Sequence, residues 1–402
     1  MLRKTACCLA VVWLVGVGLL PVSAWAQEPE RPSPVTSAGG VVPREQGRPT
    51  TSDRLERILE RIGSRQAAEP DGLYPWYGTI FPGGWVGAGP GVRVPFGNDG
   101  RMDAHAAVSL KGYTLARATV RLPAFGTRVP RLGFRAEIIN ARAVAYYGVG
   151  NDSSKDDRSS FRLRPFTLGV TALAHPLSGV EVGGALSLMA IDTGEGSRSP
   201  GISVRFDERS APGLPANPRY LVLAAHAAVR PRDTTRYAPV GGTYQVHWNY
   251  YRQRHAASLS FQRIDIDLRH VLPLRTRAWV LAVRGAASTT VTPAGNAVPY
   301  FLLPDLGGGS SLRSYSNWRF RDRHSALVSV ESRWPLSRIL DGAVFHDAGR
   351  VAATRRGLWA GGVRHATGVG VRLHTATSTL LRVDVATGRD GARLVLATSQ
   401  SF

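Results

Sequence analysis

The residues with the most obvious chemical potential lie in one long connection and in the two segments that follow it. A glycine-rich insertion, 293–323, contains three consecutive glycines (307–309) and then Arg313, and acidic residues recur downstream at Glu331 and Asp347. A connection of this length is usually functional or without fixed structure. A glycine run can cradle a phosphate, but the Gly-Lys-Ser/Thr sequence that such a loop needs does not follow. The run therefore predicts a flexible loop.

Side chains for covalent or metal chemistry are not grouped in the sequence. Nucleophilic catalysis needs a nucleophile with a positioned base, and neither a Gly-x-Ser-x-Gly elbow nor a comparable grouping of Ser and His is present. His324 and His346 have no partners at the spacing of metal ligands. We therefore expect no catalytic residue, no metal site and no cofactor, and we expect that the protein is not an enzyme.

The elements that carry these residues have the pattern of β-strands. From residue 74 to 402, short segments with alternating apolar and polar residues are separated by clusters of Gly, Pro, Asn and Asp. In the segment from Ala326, for example, Val328 and Val330 alternate with Ser329 and Glu331. No stretch reaches the roughly 18 apolar residues of a membrane-spanning helix. The sequence thus predicts an all-β fold.

Alternation of this kind also suits a soluble β-sandwich, so other features must decide. Segments of about 9 to 14 residues match the strands that cross a bilayer, Tyr and Trp cluster near segment ends, and the chain ends on Phe402. Backbone groups in lipid must all be paired, which requires a closed barrel. We count about 15 candidate strands and expect about 16 because bacterial barrels have an even number. The first strand, 79–94, is predicted to close against the last, 393–402.

The N-terminal part has a different composition from the predicted strands, so the sequence divides into three regions. Residues 1–26 read as a cleaved signal peptide, residues 27–72 as a disordered linker and residues 73–402 as the barrel. A capping box and helical apolar spacing predict a short amphipathic helix over 53–62, which either packs at the barrel rim or enters the lumen as a plug. The two cysteines lie in the predicted signal peptide, so we expect no disulfide in the mature chain.

The formal charge is strongly basic, +21, and nearly all of it comes from arginine. Proteins that bind nucleic acid concentrate such charge in tails or helical stripes, whereas these arginines are dispersed through the predicted strands. We therefore expect no nucleic-acid partner. Arginines that line a lumen or face anionic lipid headgroups fit the pattern better.

The insertion and the two segments after it resemble the barrel of the bacterial surface antigen superfamily, the outer-membrane protein assembly factors with BamA/TamA-type barrels. The resemblance rests on Leu303–Tyr315, on Glu331-Ser332-Arg333 and on Phe345-His346-Asp347-Ala348-Gly349, and extends more loosely to residues 146–157. It implies that the long loop folds into the lumen, where Arg313 pairs with Glu331 and Asp347, which we name the lumen-loop lock. A planar guanidinium can fork onto two carboxylates at once.

The resemblance assigns further residues by position. The loop motif comprises Leu312, Ser314 and Tyr315, the strand motif comprises Phe345 and Gly349, and Phe402 matches the C-terminal signal read by the barrel-insertion machinery. The superfamily usually has glycine where Ser314 stands, which implies a more relaxed backbone there and a weaker lock. Members also carry periplasmic POTRA domains, for which residues 27–72 are expected to be too short and too polar.

These features together predict a bacterial outer-membrane protein that assists the insertion or translocation of proteins, or of lipids, at that membrane. Its expected partners are outer-membrane lipid, the barrel-insertion machinery during biogenesis, and either client proteins or a separate POTRA-bearing chain. The alternative is a passive pore, whose arginine-rich lumen would favour small anionic solutes. A pore differs in one observable property, a steady conductance that persists without clients.

Overall fold

The computed structural model describes residues 71–126, 129–230, 240–274, 279–375 and 379–397. The predicted signal peptide, residues 27–70 of the predicted linker with its 53–62 helix, and Phe402 lie outside these ranges, whereas Gly72 of the predicted linker is the first residue of a strand. No helix within the ranges is long and apolar enough to cross a membrane. The helical segments that they do contain are the single-turn α1 (Ile202–Arg205) and a 3₁₀ turn (Arg356–Leu358).

Almost all of the regular structure is antiparallel β. The strands are β1 (Gly72–Thr79), β2 (Val86–Phe96), β3 (Gly100–Ser109), β4 (Thr114–Arg121), β5 (Arg131–Tyr146), β6 (Ser159–Leu177), β7 (Val180–Glu195), β8 (Arg219–Val229), β9 (Gly241–Gln253), β10 (Phe261–Pro273), β11 (Val280–Val291), β12 (Asp305–Leu306), β13 (Phe320–Arg321), β14 (His324–Pro335), β15 (Leu340–Ala352), β16 (Arg364–His374), β17 (Thr379–Gly388) and β18 (Gly391–Ala397). A 16-stranded meander runs from β1 to β18, and β12 pairs only with β13. The expected count of about 16 strands is confirmed.

The two faces of the sheet differ in the way that a bilayer requires. On β6, Phe166, Leu168 and Val170 are 43%, 48% and 43% exposed although they are large and apolar. On β14 the outward Val328 is 54% exposed, whereas Glu331 on the opposite face is fully buried. Apolar side chains that face outward at every second position form the band that contacts lipid. The faces predicted for the segment from Ala326 agree with the structure.

The prediction for the first strand is wrong. Residues 79–94 are not one strand, because Pro82, Gly83 and Gly84 form a turn between β1 and β2, with Trp85 at a φ of 66°. This Pro-Gly-Gly signal marks a turn and should have divided the segment. The edges of the sheet are therefore β1 and β18, and within the described residues no ladder joins them. Closure against 393–402 stays a prediction, since the chain beyond residue 397 lies outside the described part.

Successive hairpins place their connections at two ends of the sheet. The 292–323 loop shares one end, here called the loop end, with the connections 80–85, 110–113, 147–158 and 196–218. The connections at the other end are mostly shorter. Outer-membrane barrels have short periplasmic turns and longer outer loops, which indicates that the loop end faces the cell exterior.

Aromatic side chains fill the space between the long loop and the inner face of the first half of the sheet. Tyr300 of the loop packs edge-on against Tyr146 and Phe161, with ring centroids 5.3 and 4.8 Å apart, and all three are fully buried. We call Tyr146, Phe161 and Tyr300 the aromatic plug. The long loop is thus packed against the sheet by apolar contacts as well as by the charges described next.

Candidate functional site: the lumen-loop lock

The long loop contains paired strands and internal hydrogen bonds, and the flexibility expected of its glycine run stays a prediction. Strands β12 and β13 pair within it, and the Gly308 amide donates to the Tyr315 carbonyl at 3.0 Å. Gly307 and Gly308 have φ angles of +120° and +94°, a region that residues with a Cβ rarely adopt. The glycines are therefore needed to turn the chain so that Arg313 points toward the sheet.

Arg313 joins the loop to two adjacent strands. Its Nε and Nη2 each donate to a different oxygen of Asp347 at 2.9 Å, and its Nη1 donates to Glu331. The guanidinium also lies over the ring of Phe345, 3.4 Å from the centroid. Arg313 is 1% exposed and both acids are fully buried, so water screens this interaction little. The three residues of the lumen-loop lock are brought together.

The strand register explains why both acids face the loop. Directly opposite residues on antiparallel strands point to the same face, and Glu331 pairs with Phe345 while Ser329 pairs with Asp347. The two acids are therefore diagonal neighbours on the inner face of β14 and β15. Because β14 and β15 are adjacent strands of one hairpin, a single guanidinium can reach both acids.

Three further arginines and one acid complete the cluster. Arg333 and Arg372 donate to Glu331 Oε1 at 2.7 and 3.0 Å, and Arg372 also pairs with Asp384. Arg382 Nε and Arg313 Nη1 each lie 3.5 Å from Asp384 Oδ2. The network thus holds four arginines against three carboxylates. Arg372, Arg382 and Asp384 belong to this network but were not predicted as site residues from the sequence.

The apolar motif residues position the loop against the strands. Leu312 is fully buried in a cluster with Leu306 and Leu327, and Tyr315 packs edge-on against another loop aromatic. Gly349 lies where the loop crosses β15, because a Cβ there would be 2.9 Å from Leu306 Cδ1 and 3.0 Å from a strand carbonyl oxygen. The strand-motif glycine is therefore needed for close approach of the loop.

Ser314 stands where the superfamily usually has glycine, and its backbone is not strained. Ser314 is not among the residues with a positive φ, so the position has no special need for glycine. Its side chain is 5% exposed and faces Gly388 of β17, and its Oγ has no hydrogen-bond partner among the described residues. The expectation of a relaxed tight turn at this residue has no counterpart in the structure.

A second set of contacts ties the loop to residues 146–157, the region of looser resemblance. The amide of Gly150 donates to the Arg321 carbonyl at 2.7 Å, and Arg319 donates to both Ser153 and Asp390, the latter at 2.6 Å. Asn151 also accepts through its carbonyl oxygen from Arg364 of β16. The loop is therefore held from two sides. No group of three or more His, Cys, Asp or Glu in the part of the chain described here could hold a metal ion.

Both the sequence and the fold are similar to those of known proteins. Residues 204–393 match the model of the Omp85 superfamily domain. The fold is similar to the crystal structure of BamA from Haemophilus ducreyi lacking POTRA domains 1-3, with 12% identity, 86% of this chain and 78% of that chain covered, and a TM-score of 0.61. It is also similar to CdiB from Escherichia coli, with 11% identity, 82% and 63% coverage, and a TM-score of 0.52. No curated protein matches the sequence.

The fold and the site define a class, the bacterial outer-membrane β-barrels in which a long loop folds back against the inner face of the strands. Within that class, residues 204–393 are similar to the Omp85 superfamily domain, and this range includes the long loop, the lumen-loop lock and the strands from β8 to the start of β18. The resemblance predicted from the loop and strand motifs is confirmed, and so are the all-β barrel fold and the outer-membrane location.

Proposed function

We propose that this barrel assists the insertion or translocation of proteins, or of lipids, at the outer membrane. The observation that carries the proposal is the contact of Arg313 with both Glu331 and Asp347, since a loop held in this way is the part of an Omp85 domain that the sequence resemblance singles out. The contribution would be physical, through a sheet that can open and re-pair, with no covalent step.

The edge strands support an opening of this kind. Pro75 of β1 pairs with Pro90 of β2, and neither residue can donate a backbone hydrogen bond. Strand β2 also contains Gly87, Gly89 and Gly91, which weaken strand packing. An edge with free backbone groups can pair with an incoming strand of another chain. The first hairpin is thus a part of the sheet that would separate at low cost.

A passive pore for small anions is the second candidate, and the basic lumen favours it. Ion pairs and aromatic packing on the inner face of the sheet argue against the pore. Inward-facing arginines such as Arg269 and Arg284 are paired with Asp267, and the aromatic plug fills space beneath the long loop. A steady conductance in planar bilayers, recorded from the purified barrel without any client, would favour the pore over the proposed function.

The proposed function can be tested with vesicles. A small outer-membrane barrel, unfolded in urea, is diluted into phosphatidylcholine vesicles that contain either this protein or lipid alone. We expect the heat-resistant folded band to appear faster with the protein, and more slowly with Arg313→Ala than with the control Arg323→Ala, an exposed change in the same loop. Equal folding rates with and without the protein would contradict the proposal.

The partners can be sought separately. Detergent extracts of outer membranes, passed over the tagged barrel, should retain a POTRA-bearing chain if periplasmic domains are supplied from outside the sequence described here. Recovery of the barrel alone, together with steady conductance, would instead support the pore.

A further inference from the structure

A second concentration of charge lies at the loop end, away from the lumen-loop lock. There, a cavity of about 500 Å³ is walled by the β1–β2 and β3–β4 turns, by β5, by the connection after β7, by residues 316–318 of the long loop and by β18. This volume is within the range of sites that hold small molecules. The walls come from both halves of the sheet and from both of its edges.

The charge in this cavity is of one sign. Lys111, Arg142, Arg158, Arg198 and Arg393 all line it, and no acidic side chain does so among the described residues. We call these five residues the cationic cluster. None of them forms an ion pair with a carboxylate in the part of the chain that the structure describes. Elsewhere on the sheet, arginines do find acids, as Arg117 does with Glu137.

The members of the cluster are close enough to act on one another. Partial burial, together with the positive charges of Arg198, Arg158 and Arg393, lowers the pKa of Lys111, which lies in the turn before β4. Like charges held together without a counterion repel, and the potential they create attracts anions. A multivalent anion would therefore be attracted to the cluster and would offset this repulsion.

We propose that this cavity binds an anion that carries two or more phosphate groups. Guanidinium groups match phosphate oxygens in pairs and retain their charge at any physiological pH. Ser197, Ser316 and Asn317 add uncharged hydrogen-bonding groups to the wall, and Tyr113 and Trp318 add aromatic surface. That lining suits a phosphorylated ligand with a partly apolar body better than a bare monovalent ion.

The position of the cluster gives the ligand a structural consequence. Arg393 belongs to β18, at one edge of the sheet, and donates to the carbonyl of Tyr315 in the long loop. The other four cations come from the first half of the chain, between β3 and the connection after β7. An anion that contacts both groups would join β18, one edge of the sheet, to the first half of the barrel.

Calorimetry of the purified barrel in zwitterionic detergent at low salt tests the proposal, with inorganic tripolyphosphate as the probe. We expect saturable binding that weakens as salt is added, and a loss of about tenfold in affinity for each of Arg142→Gln and Arg198→Gln. Arg209→Gln removes the same charge from an exposed position of the same connection that carries Arg198, outside the cavity, and should leave the affinity unchanged.

Three results would overturn the proposal: no binding to the unaltered protein, an affinity in the two cavity variants that is unchanged from that of the unaltered protein, or an equal loss with Arg209→Gln. Heat-resistant migration on a gel shows that each variant is folded. If a cavity arginine variant does not fold, Lys111→Gln in the exposed turn replaces it, with the same expected loss.

A second pair of measurements separates the sources of such a ligand. If the natural ligand is a lipid headgroup, tripolyphosphate should bind more weakly to protein in vesicles with a diphosphorylated glycolipid than in pure phosphatidylcholine, because the lipid occupies the cavity. Equal affinity in the two membranes would identify a free phosphorylated solute. Neither assay measures insertion of a client, so failure here leaves the proposed function standing.

Discussion

Removal of the Arg313 guanidinium should destabilise the barrel mainly through one of its two carboxylate partners. Asp347 receives its hydrogen bonds from Arg313 alone among the described residues, whereas Glu331 keeps Arg333 and Arg372 at 2.7 and 3.0 Å. In Arg313→Ala the backbone N–H of residue 313, 3.3 Å from Asp347 Oδ2, remains, but both guanidinium bonds are lost. A buried acid that loses its charged partner costs about 3–5 kcal/mol. We therefore expect Arg313→Ala to lower the free energy of unfolding by about that amount.

A second substitution separates this mechanism from a general loss of packing. In Arg313→Ala combined with Asp347→Asn, the orphaned charge is absent, and we expect the double variant to regain about 1–3 kcal/mol relative to the single variant. Arg323→Ala changes an exposed arginine of the same loop and should stay within about 0.5 kcal/mol of the unaltered protein.

The assay is guanidinium unfolding of the purified barrel in detergent, followed by tryptophan fluorescence and by the loss of heat-resistant migration. If Arg313→Ala is as stable as the unaltered protein, the arginine holds nothing in place. If the double variant is no more stable than Arg313→Ala, the cost does not come from Asp347, and the reasoning from its single partner is refuted.

Two further predictions concern residues at the edge of this network and at the end of the chain. Gly349→Ala places a methyl group 2.9 Å from Leu306 and 3.0 Å from the carbonyl of Ala326, and should destabilise the barrel by about 1–3 kcal/mol in the same unfolding assay; an unchanged midpoint would show that the loop does not need this close approach. Deletion of Phe402 should reduce the amount of heat-resistant barrel recovered from outer membranes, and a normal yield would contradict its role as an assembly signal.

The strands and their faces could be predicted because apolar and polar residues alternate along the sequence with a period of two. On β14 the outward valines and the inward Glu331 follow from that period alone. The contact of Arg313 with the two acids was predicted from the resemblance of the motifs. The spacing of these three residues along the chain does not by itself indicate that they are in contact.

The rest of the network depends on register, which the sequence does not show. Arg372 lies opposite Arg382, and Asp384 lies opposite Gly370, only because β16 and β17 pair in one particular alignment. A shift of β17 by one residue would turn Arg382 and Asp384 to the lipid face. The first strand was misassigned for a local reason, because the turn at Pro82 was read as strand.

The cationic cluster could not be predicted from the sequence either. Lys111 and Arg393 are separated by most of the barrel along the chain, and each is unremarkable among dispersed basic residues. Their common cavity appears only when both edges of the sheet and the long loop are placed at the loop end.

In the membrane, the long loop is expected to lie inside the barrel. A cysteine pair tests it directly, because the two natural cysteines fall in the predicted signal peptide. A Cβ at Gly309 would lie 2.7 Å from Cγ1 of Val395, which is buried on the inner face of β18, whereas Leu394 beside it is 59% exposed on the outer face.

We predict that Gly309→Cys with Val395→Cys forms a disulfide in isolated outer membranes, seen by mass spectrometry of the linked peptides. The matched pair Gly309→Cys with Leu394→Cys should not form one. Equal cross-linking of the two pairs, or none with residue 395 in a folded barrel, would contradict the placement of the loop in the lumen.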